Sequence, residues 1–173
     1  MLTAKFDPQS FFHRTENIAL NVPASEVFSL LKRSIDLPPQ WGALVGRSTG
    51  DQVAVGAGGI VEAENAEDVL FVRLTPTEIK LRLEGMSSQD CFSFDAEVRI
   101  HLHPVSDRAE LAGFLRMVMG SRRVIQTETL TTHFQPVIHG ALATFLSERD
   151  ADGLMDATQW HAAAETIATA LQV

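Results

Sequence analysis

Residues 92–103 read Phe-Ser-Phe-Asp-Ala-Glu-Val-Arg-Ile-His-Leu-His, and their strict alternation decides the fold. Every even position from Phe92 to Leu102 is apolar or small, and every odd position from Ser93 to His103 is polar. Because successive side chains of a β-strand point to opposite faces, a period of two over this length predicts a half-buried strand. We therefore expect a sheet with one covered face and one solvated face.

Short β-like segments precede this strand, and a helical half follows it. The other strand candidates are residues 41–45, 52–55, 59–62, 69–74 and 78–84, which are bounded by Gly or by Thr-Pro-Thr. The helix candidates are residues 107–120, residues 123–147, which Pro136 should kink or break, and a last helix from Ala157 to at least Leu171. Strands followed by helices predict an α+β fold, with an antiparallel or mixed sheet of about four to six strands and helices packed on one side.

The predicted domain begins at residue 41. Residues 1–40 form an N-terminal segment with a short amphipathic helix over Pro23–Ile35, which packs on or precedes the domain. Residues 41–173 form the domain itself, with strands in 41–104 and helices in 107–173. Because the chain stops inside an apolar helical pattern at residue 173, we expect the domain to be truncated at its C-terminal side.

Composition excludes several classes of function. The net charge of −8 argues against a nucleic-acid partner and against a broad basic patch for anionic lipid. Cys91 is the only cysteine, so an internal disulfide is impossible and a reducing compartment is natural. No apolar run reaches the length of about 18 residues that a transmembrane helix needs. We expect a cytoplasmic location.

Two histidine pairs are candidates for a metal site. His101 and His103 lie two residues apart on one strand and therefore project from the same face. No third ligand stands at a helpful offset, so we interpret both as solvated residues or as residues at a subunit contact. His133 and His139 lie six residues apart on a helix and face well apart. The pattern predicts no metal site.

The loops offer no catalytic arrangement. Asp150–Gly153 resembles the start of a calcium loop, but the later ligand positions fail, and an interhelical linker explains it. Gly56–Gly59 leads into a strand, which favours a glycine-rich hairpin or bulge over a phosphate loop. The remaining candidates are Ser87 and Ser88 in a polar turn and the carboxylate pairs Glu62/Glu64 and Glu67/Asp68 in an exposed acidic loop. We expect no enzyme, no catalytic residue and no cofactor.

Arg122 and Arg123 form a small basic cluster in an otherwise acidic chain. They are either solvated residues near a helix start or a salt-bridge contact with an acidic face of a neighbouring copy. Both interpretations stay open at this point.

The order of elements from Trp41 to Leu171 resembles the SPFH domain, also called Band 7, of stomatins, prohibitins and flotillins. The matching parts are an opening strand and glycine turn (Pro38–Asp51), a segment that enters the next strand at an Asp (Leu83–Asp90), the long central strand (Phe92–Pro104), the helix after it (Ser106–Phe114) and the long helix (Leu130–Phe145). Cys91 stands where that family usually has a glycine after the Asp.

This resemblance implies a non-enzymatic scaffold. Such domains associate side by side into oligomers and organise membrane microdomains or partner proteins. The implied partners are further copies of the chain and a membrane periphery reached through parts outside this chain.

A second resemblance concerns Asn21–Phe28 and Pro38–Trp41, which are similar to the opening of a START-like helix-grip domain. That alternative implies a module that binds an apolar small ligand. A closed cavity lined by Phe71, Phe92 and Phe94 would support it.

Overall fold

The computed structural model describes residues 8–104 and 107–171. The predictions about Ser106 and about the ends of the chain lie outside these residues. The strands are β1 (Asn17–Pro23), β2 (Ser34–Asp36), β3 (Trp41–Arg47), β4 (Gln52–Val55), β5 (Ile60–Glu62), β6 (Ala66–Arg73), β7 (Thr77–Ser87), β8 (Ser93–Leu102) and β9 (Val124–Gln126). The helices are α1 (Pro8–Phe12), α2 (Ala24–Val27), α3 (Arg108–Phe114), which continues as a π-helix over Leu115–Met119, α4 (Thr127–Ser147), α5 (Ala151–Leu154) and α6 (Ala157–Leu171). The α+β class is confirmed.

The chain divides into two compact units. The first consists of the residues up to Thr77 together with His101–Thr129, and the second of Glu78–Ile100 together with the residues from Leu130 onward. The predicted boundary at residue 40 does not coincide with this division. Strand β1, which precedes that boundary, lies inside the sheet of the first unit, between β6 and β9.

The first unit is built on a five-stranded sheet in the order β4-β3-β6-β1-β9, in which every neighbouring pair is antiparallel. Its central strands are apolar at consecutive positions, and Val69–Val72 are all buried. Consecutive burial means that both faces of these strands are covered. Aromatic rings fill the core: the Phe12 ring lies 5.0 Å from Trp41 and 5.3 Å from Phe71, measured between centroids.

Strands β2 and β5 form a separate antiparallel pair, and this pairing overturns part of the predicted helix over Pro23–Ile35. The helix ends at Val27, and Ile35 lies in β2 opposite Val61. Both side chains are buried, at 2% and 0% exposure. Burial in the strand pair outweighs a local helical periodicity, since helix propensity is a weak prior.

Three further predictions are wrong at the level of single elements. Residues 124–126 form β9 instead of the start of the long helix, because Ile125 pairs with Ala19 and is fully buried. Glu67 and Asp68 lie in β6 instead of an acidic loop. The glycines at 56–59 are not a hairpin, because β4 pairs with β3 and β5 pairs with β2, so the chain passes there from one sheet to another.

The second unit contains the β7–β8 hairpin and the C-terminal helices. Helix α4 continues through Pro136, so the predicted break is wrong. The last helix runs to Leu171 as expected. In the first unit, Asp107 caps α3 by accepting hydrogen bonds from the backbone N–H groups of Ala109 and Glu110.

Cys91 adopts a left-handed backbone conformation in the turn between β7 and β8, with φ at 65°. Glycine reaches this region freely, whereas a β-carbon there costs about 1–2 kcal/mol.

We predict that Cys91→Gly stabilises the protein by about 1 kcal/mol, because relief of the strain exceeds the extra chain entropy of glycine in the unfolded state. Urea unfolding measures the difference. Cys91→Ser is the matched control, since it also removes the thiol but keeps the β-carbon, and it should show no such gain. Equal stability of the two variants would contradict the strain.

Candidate interaction surface

The apolar side chains of the β7–β8 hairpin are buried to different degrees on its two strands. On β7, Ile79, Leu81 and Leu83 are all buried, at no more than 3% exposure. On β8, Phe94, Ala96, Val98, Ile100 and Leu102 are only half-buried. The predicted half-buried strand is therefore present, but its apolar row is incompletely covered.

The opposite face of the hairpin is charged and solvated. The Arg99 Nε donates a hydrogen bond of 2.6 Å to the Glu97 carboxylate on the same strand. Arg82 on β7 lies 3.7 Å from the Asp95 carboxylate on β8 and 3.1 Å from that of Glu84. Exposed ion pairs of this kind contribute little to stability. They do establish a face on which positive and negative groups alternate.

Carboxylate groups interact favourably with the Arg99 guanidinium. Its hydrogen bond and charge contact with Glu97 raise its pKa above the ordinary value, and Glu78 on β7 adds to the effect. Arg82 on β7 lies close to Asp95 on β8. The polar residues of both strands therefore share one face.

The sequence candidates for metal binding lie on two different elements, one pair at the end of β8 and the other on α4. His101 is exposed at the end of β8 and His103 follows the strand, also exposed. On α4, the His133 ring packs against Phe134 at 5.0 Å. Within residues 8–104 and 107–171, no group of three or more His, Cys, Asp or Glu side chains could hold a metal ion.

Other candidate residues take structural roles. Asp150 caps α5 and accepts a hydrogen bond of 2.7 Å from the Gly153 N–H. Arg123 pairs with Glu26 of its own unit at 2.6 Å, and Arg122 donates to the Val118 carbonyl. The contact of this basic pair with a neighbouring copy stays a prediction.

Asp90 fastens the turn of the hairpin to the helices of the second unit. Its carboxylate accepts a hydrogen bond of 2.5 Å from the Ser88 hydroxyl and one of 3.0 Å from the Ala151 N–H. The neighbouring Gln89 N–H donates to the Arg149 carbonyl at 2.8 Å. The Ser88 hydrogen bond, supported by that of Ala151, lowers the pKa of Asp90 below its ordinary value. This link could not be predicted from the sequence, because nothing local identifies a partner 61 residues away.

Arg149 completes the helix side of this link. Its Nη1 donates to the Phe145 carbonyl at 2.8 Å, its Nε donates to the Gln159 side chain at 3.0 Å, and its guanidinium lies 3.7 Å from the centre of the Phe145 ring. Hydrogen bonding and a cation–π contact together fix the junction that receives the turn.

A second surface lies in the first unit, at the turn that follows α2. Leu30 and Leu31 lie at its tip and are 90% and 99% exposed. The turn is held below them, since the Ser29 N–H donates to the Lys32 carbonyl and the Lys32 N–H donates to the Ser29 hydroxyl. We call these two residues the leucine tip.

An open groove of about 720 Å³ lies beside the leucine tip. Its lining includes Phe28, Leu30, Arg33, Glu62 and Glu64. The groove is therefore lined by apolar side chains and by charged side chains of both signs. Contiguous apolar exposure rimmed by polar residues is typical of an interaction site.

The aromatic residues that the carrier alternative requires lie in different environments. Phe71 is fully buried in the core of the first unit, against Phe12. Phe92 is 60% exposed at the turn of the hairpin. Binding of an apolar small ligand stays a prediction.

Comparison with known proteins gives no relative: no family model matches the chain, and no curated protein matches it. Among the helices described, none combines the length and apolar character required to cross a membrane.

We predict that Asp90→Asn lowers the free energy of unfolding at neutral pH, and that this deficit disappears in acid. A lowered pKa means that the folded state resists protonation, so the contribution of Asp90 is complete above the ordinary aspartate pKa of about 3.9. It is lost as the pH falls through the lower pKa of the folded state. Urea unfolding over a pH series measures both curves.

Asp36→Asn is the control for this experiment, because Asp36 is exposed on β2 and takes part in none of the turn contacts. Its difference from the wild type should be small throughout. A deficit of Asp90→Asn that stays constant from neutral pH into strong acid would contradict the role of the ionised carboxylate.

Proposed function

We propose that this protein is a non-enzymatic, self-associating scaffold domain of the SPFH type, which organises a membrane surface or partner proteins from the cytoplasm. The resemblance in the order of elements supports the SPFH type, and the confirmed α+β class is compatible with it. The structural observation behind the proposal is the leucine tip.

Two leucines kept side by side in water are an unfavourable arrangement for a protein that acts alone. Burying a leucine side chain contributes about 1.5–3 kcal/mol, so burial of both contributes about 3–6 kcal/mol. That energy corresponds to about 10²- to 10⁴-fold in an equilibrium constant. Because both side chains are already out of the core, this contribution is available to binding without a cost in folding.

The charges around the tip suit the boundary of a lipid layer. Lys32 and Arg33 follow the leucines directly and can reach headgroup phosphates with their long stems while the leucines enter the apolar region. Glu62 and Glu64, which line the adjacent groove, offset these positive charges. We therefore expect insertion of the leucines to dominate, with binding to neutral vesicles that added salt weakens only slightly.

Flotation with phosphatidylcholine vesicles tests this contact. The wild-type protein should float with the vesicles, whereas Leu30→Ser/Leu31→Ser should stay in the soluble fraction, with an unchanged urea midpoint because both positions are exposed. Met155→Ser is the matched control: Met155 is 83% exposed on the second unit and stands outside the tip. Its flotation should equal that of the wild type.

Sedimentation velocity over a wide range of protein concentration tests self-association in the same samples. The average mass of the wild-type protein should rise with concentration. A strict monomer that also fails to float would overturn the proposed function.

A further inference from the structure

We propose that two copies of this chain join through strand β8, which pairs antiparallel with β8 of the second copy about a twofold axis at Val98. This inference rests on the proposed self-association and gives it a surface, a partner and a register.

Strand β8 has an edge open to another strand. In the described part of the chain it belongs to a two-stranded sheet and has β7 as its neighbour. It is ten residues long and contains neither proline nor glycine. An edge strand presents a row of backbone donors and acceptors to any strand that can align with it, and proteins commonly protect such edges with short strands, bulges or proline. The length and regularity of β8 leave this edge well suited to pairing.

The apolar row of β8 also lacks complete cover. Its residues are half-buried, whereas the corresponding residues of β7 are buried. Pairing with a second β8 would place Ala96 against Ile100 of the other copy, and Phe94 against Leu102. These contacts bury the apolar row where it is now open.

The charges of the strand select one register. In an antiparallel pair centred on Val98, Glu97 lies opposite Arg99 of the second copy, and twofold symmetry repeats this contact. Asp95 then lies opposite His101. A twofold contact requires a surface that is complementary to itself, and this strand has opposite charges at equal distances from its centre.

Neighbouring registers are less favourable. Every side chain must stay on its own face of the sheet, so an alternative register moves the centre of the pair by a whole residue along the strand. The two nearest alternatives are centred on Glu97 and on Arg99. Moving the centre to Glu97 places the two Glu97 carboxylates opposite each other, and moving it to Arg99 does the same with the two guanidinium groups. Like charges directly opposite are destabilising, so both alternatives are disfavoured.

Strand β7 does not offer an equivalent edge. In an antiparallel pair of two β7 strands centred on Leu81, Glu78 would lie opposite Glu84 and Lys80 opposite Arg82. Gly85 also has a positive φ of 68°, which interrupts the regular strand. Charge and backbone therefore both favour β8.

Charge reversal and charge exchange test the register. Glu97→Arg creates two like-charge contacts in the symmetric pair, and so does Arg99→Glu. Each single variant should weaken self-association by about tenfold or more, because two favourable cross-strand pairs become unfavourable. The double variant Glu97→Arg/Arg99→Glu restores opposite charges and should recover most of the affinity. Glu165→Arg, an equal change of charge on α6, is the control and should leave the affinity unchanged.

Cysteine cross-linking tests the centre of the pair directly. In the Cys91→Gly background, Val98→Cys should give a covalent dimer on mild oxidation, because directly opposite Cα atoms lie about 4.5–5.5 Å apart, within disulfide reach. Lys80→Cys on β7 is the control: three strand spacings, about 14 Å, would separate its two copies, and it should stay monomeric on oxidation.

The outcomes separate this inference from the proposed function. A protein that self-associates with full affinity in both single variants, or that gains nothing from the double exchange, would overturn pairing through β8 and leave the scaffold function standing. Absence of a covalent Val98→Cys dimer in a self-associating protein would likewise overturn the centre at Val98. A wild-type protein that stays monomeric at every concentration would overturn pairing through β8, and if it also fails to float with vesicles it would overturn the proposed function as well.

Discussion

The hydrogen bonds of Asp90 are the constraint on which the second unit depends. A two-stranded hairpin is at best marginally stable by itself in water. The carboxylate of Asp90 joins the turn, through Ser88, to the start of α5, through Ala151. This link also fixes where β8 begins. Because a shift of one residue would exchange the two faces of the strand, the position of the turn decides which side chains are solvated.

The strained backbone of Cys91 belongs to the same constraint. The Cys91 N–H donates to the Ser88 carbonyl, and the Phe92 N–H donates to the Ser88 hydroxyl. The chain must therefore turn sharply between Asp90 and β8, and a residue in the left-handed region accomplishes the turn. Strain of this kind persists where surrounding contacts determine the conformation more strongly than the residue itself does. Here the hydrogen bonds of Ser88 and Asp90 hold Cys91 in this conformation.

Local patterns predicted the elements whose stability is itself local. The alternation over residues 92–102 predicted β8, and the helical pattern from Ala157 predicted α6. Elements that depend on distant partners were missed. Ile35 and Ile125 stand in segments with helical periodicity, yet each is buried in a strand pair whose partner lies far along the chain. The alternating composition of β8 could be predicted, but the incomplete burial of its apolar side chains could not.

The polar row of β8 supports two interpretations that make different demands on the rest of the molecule. A metal site at His101 and His103 needs further ligands that converge from other elements. A twofold strand contact needs one strand whose charges invert about its centre, and Glu97 and Arg99 flank Val98 in this way. The second requirement is met within a single element. The charge pattern of β8 therefore favours the proposed twofold contact over a metal site.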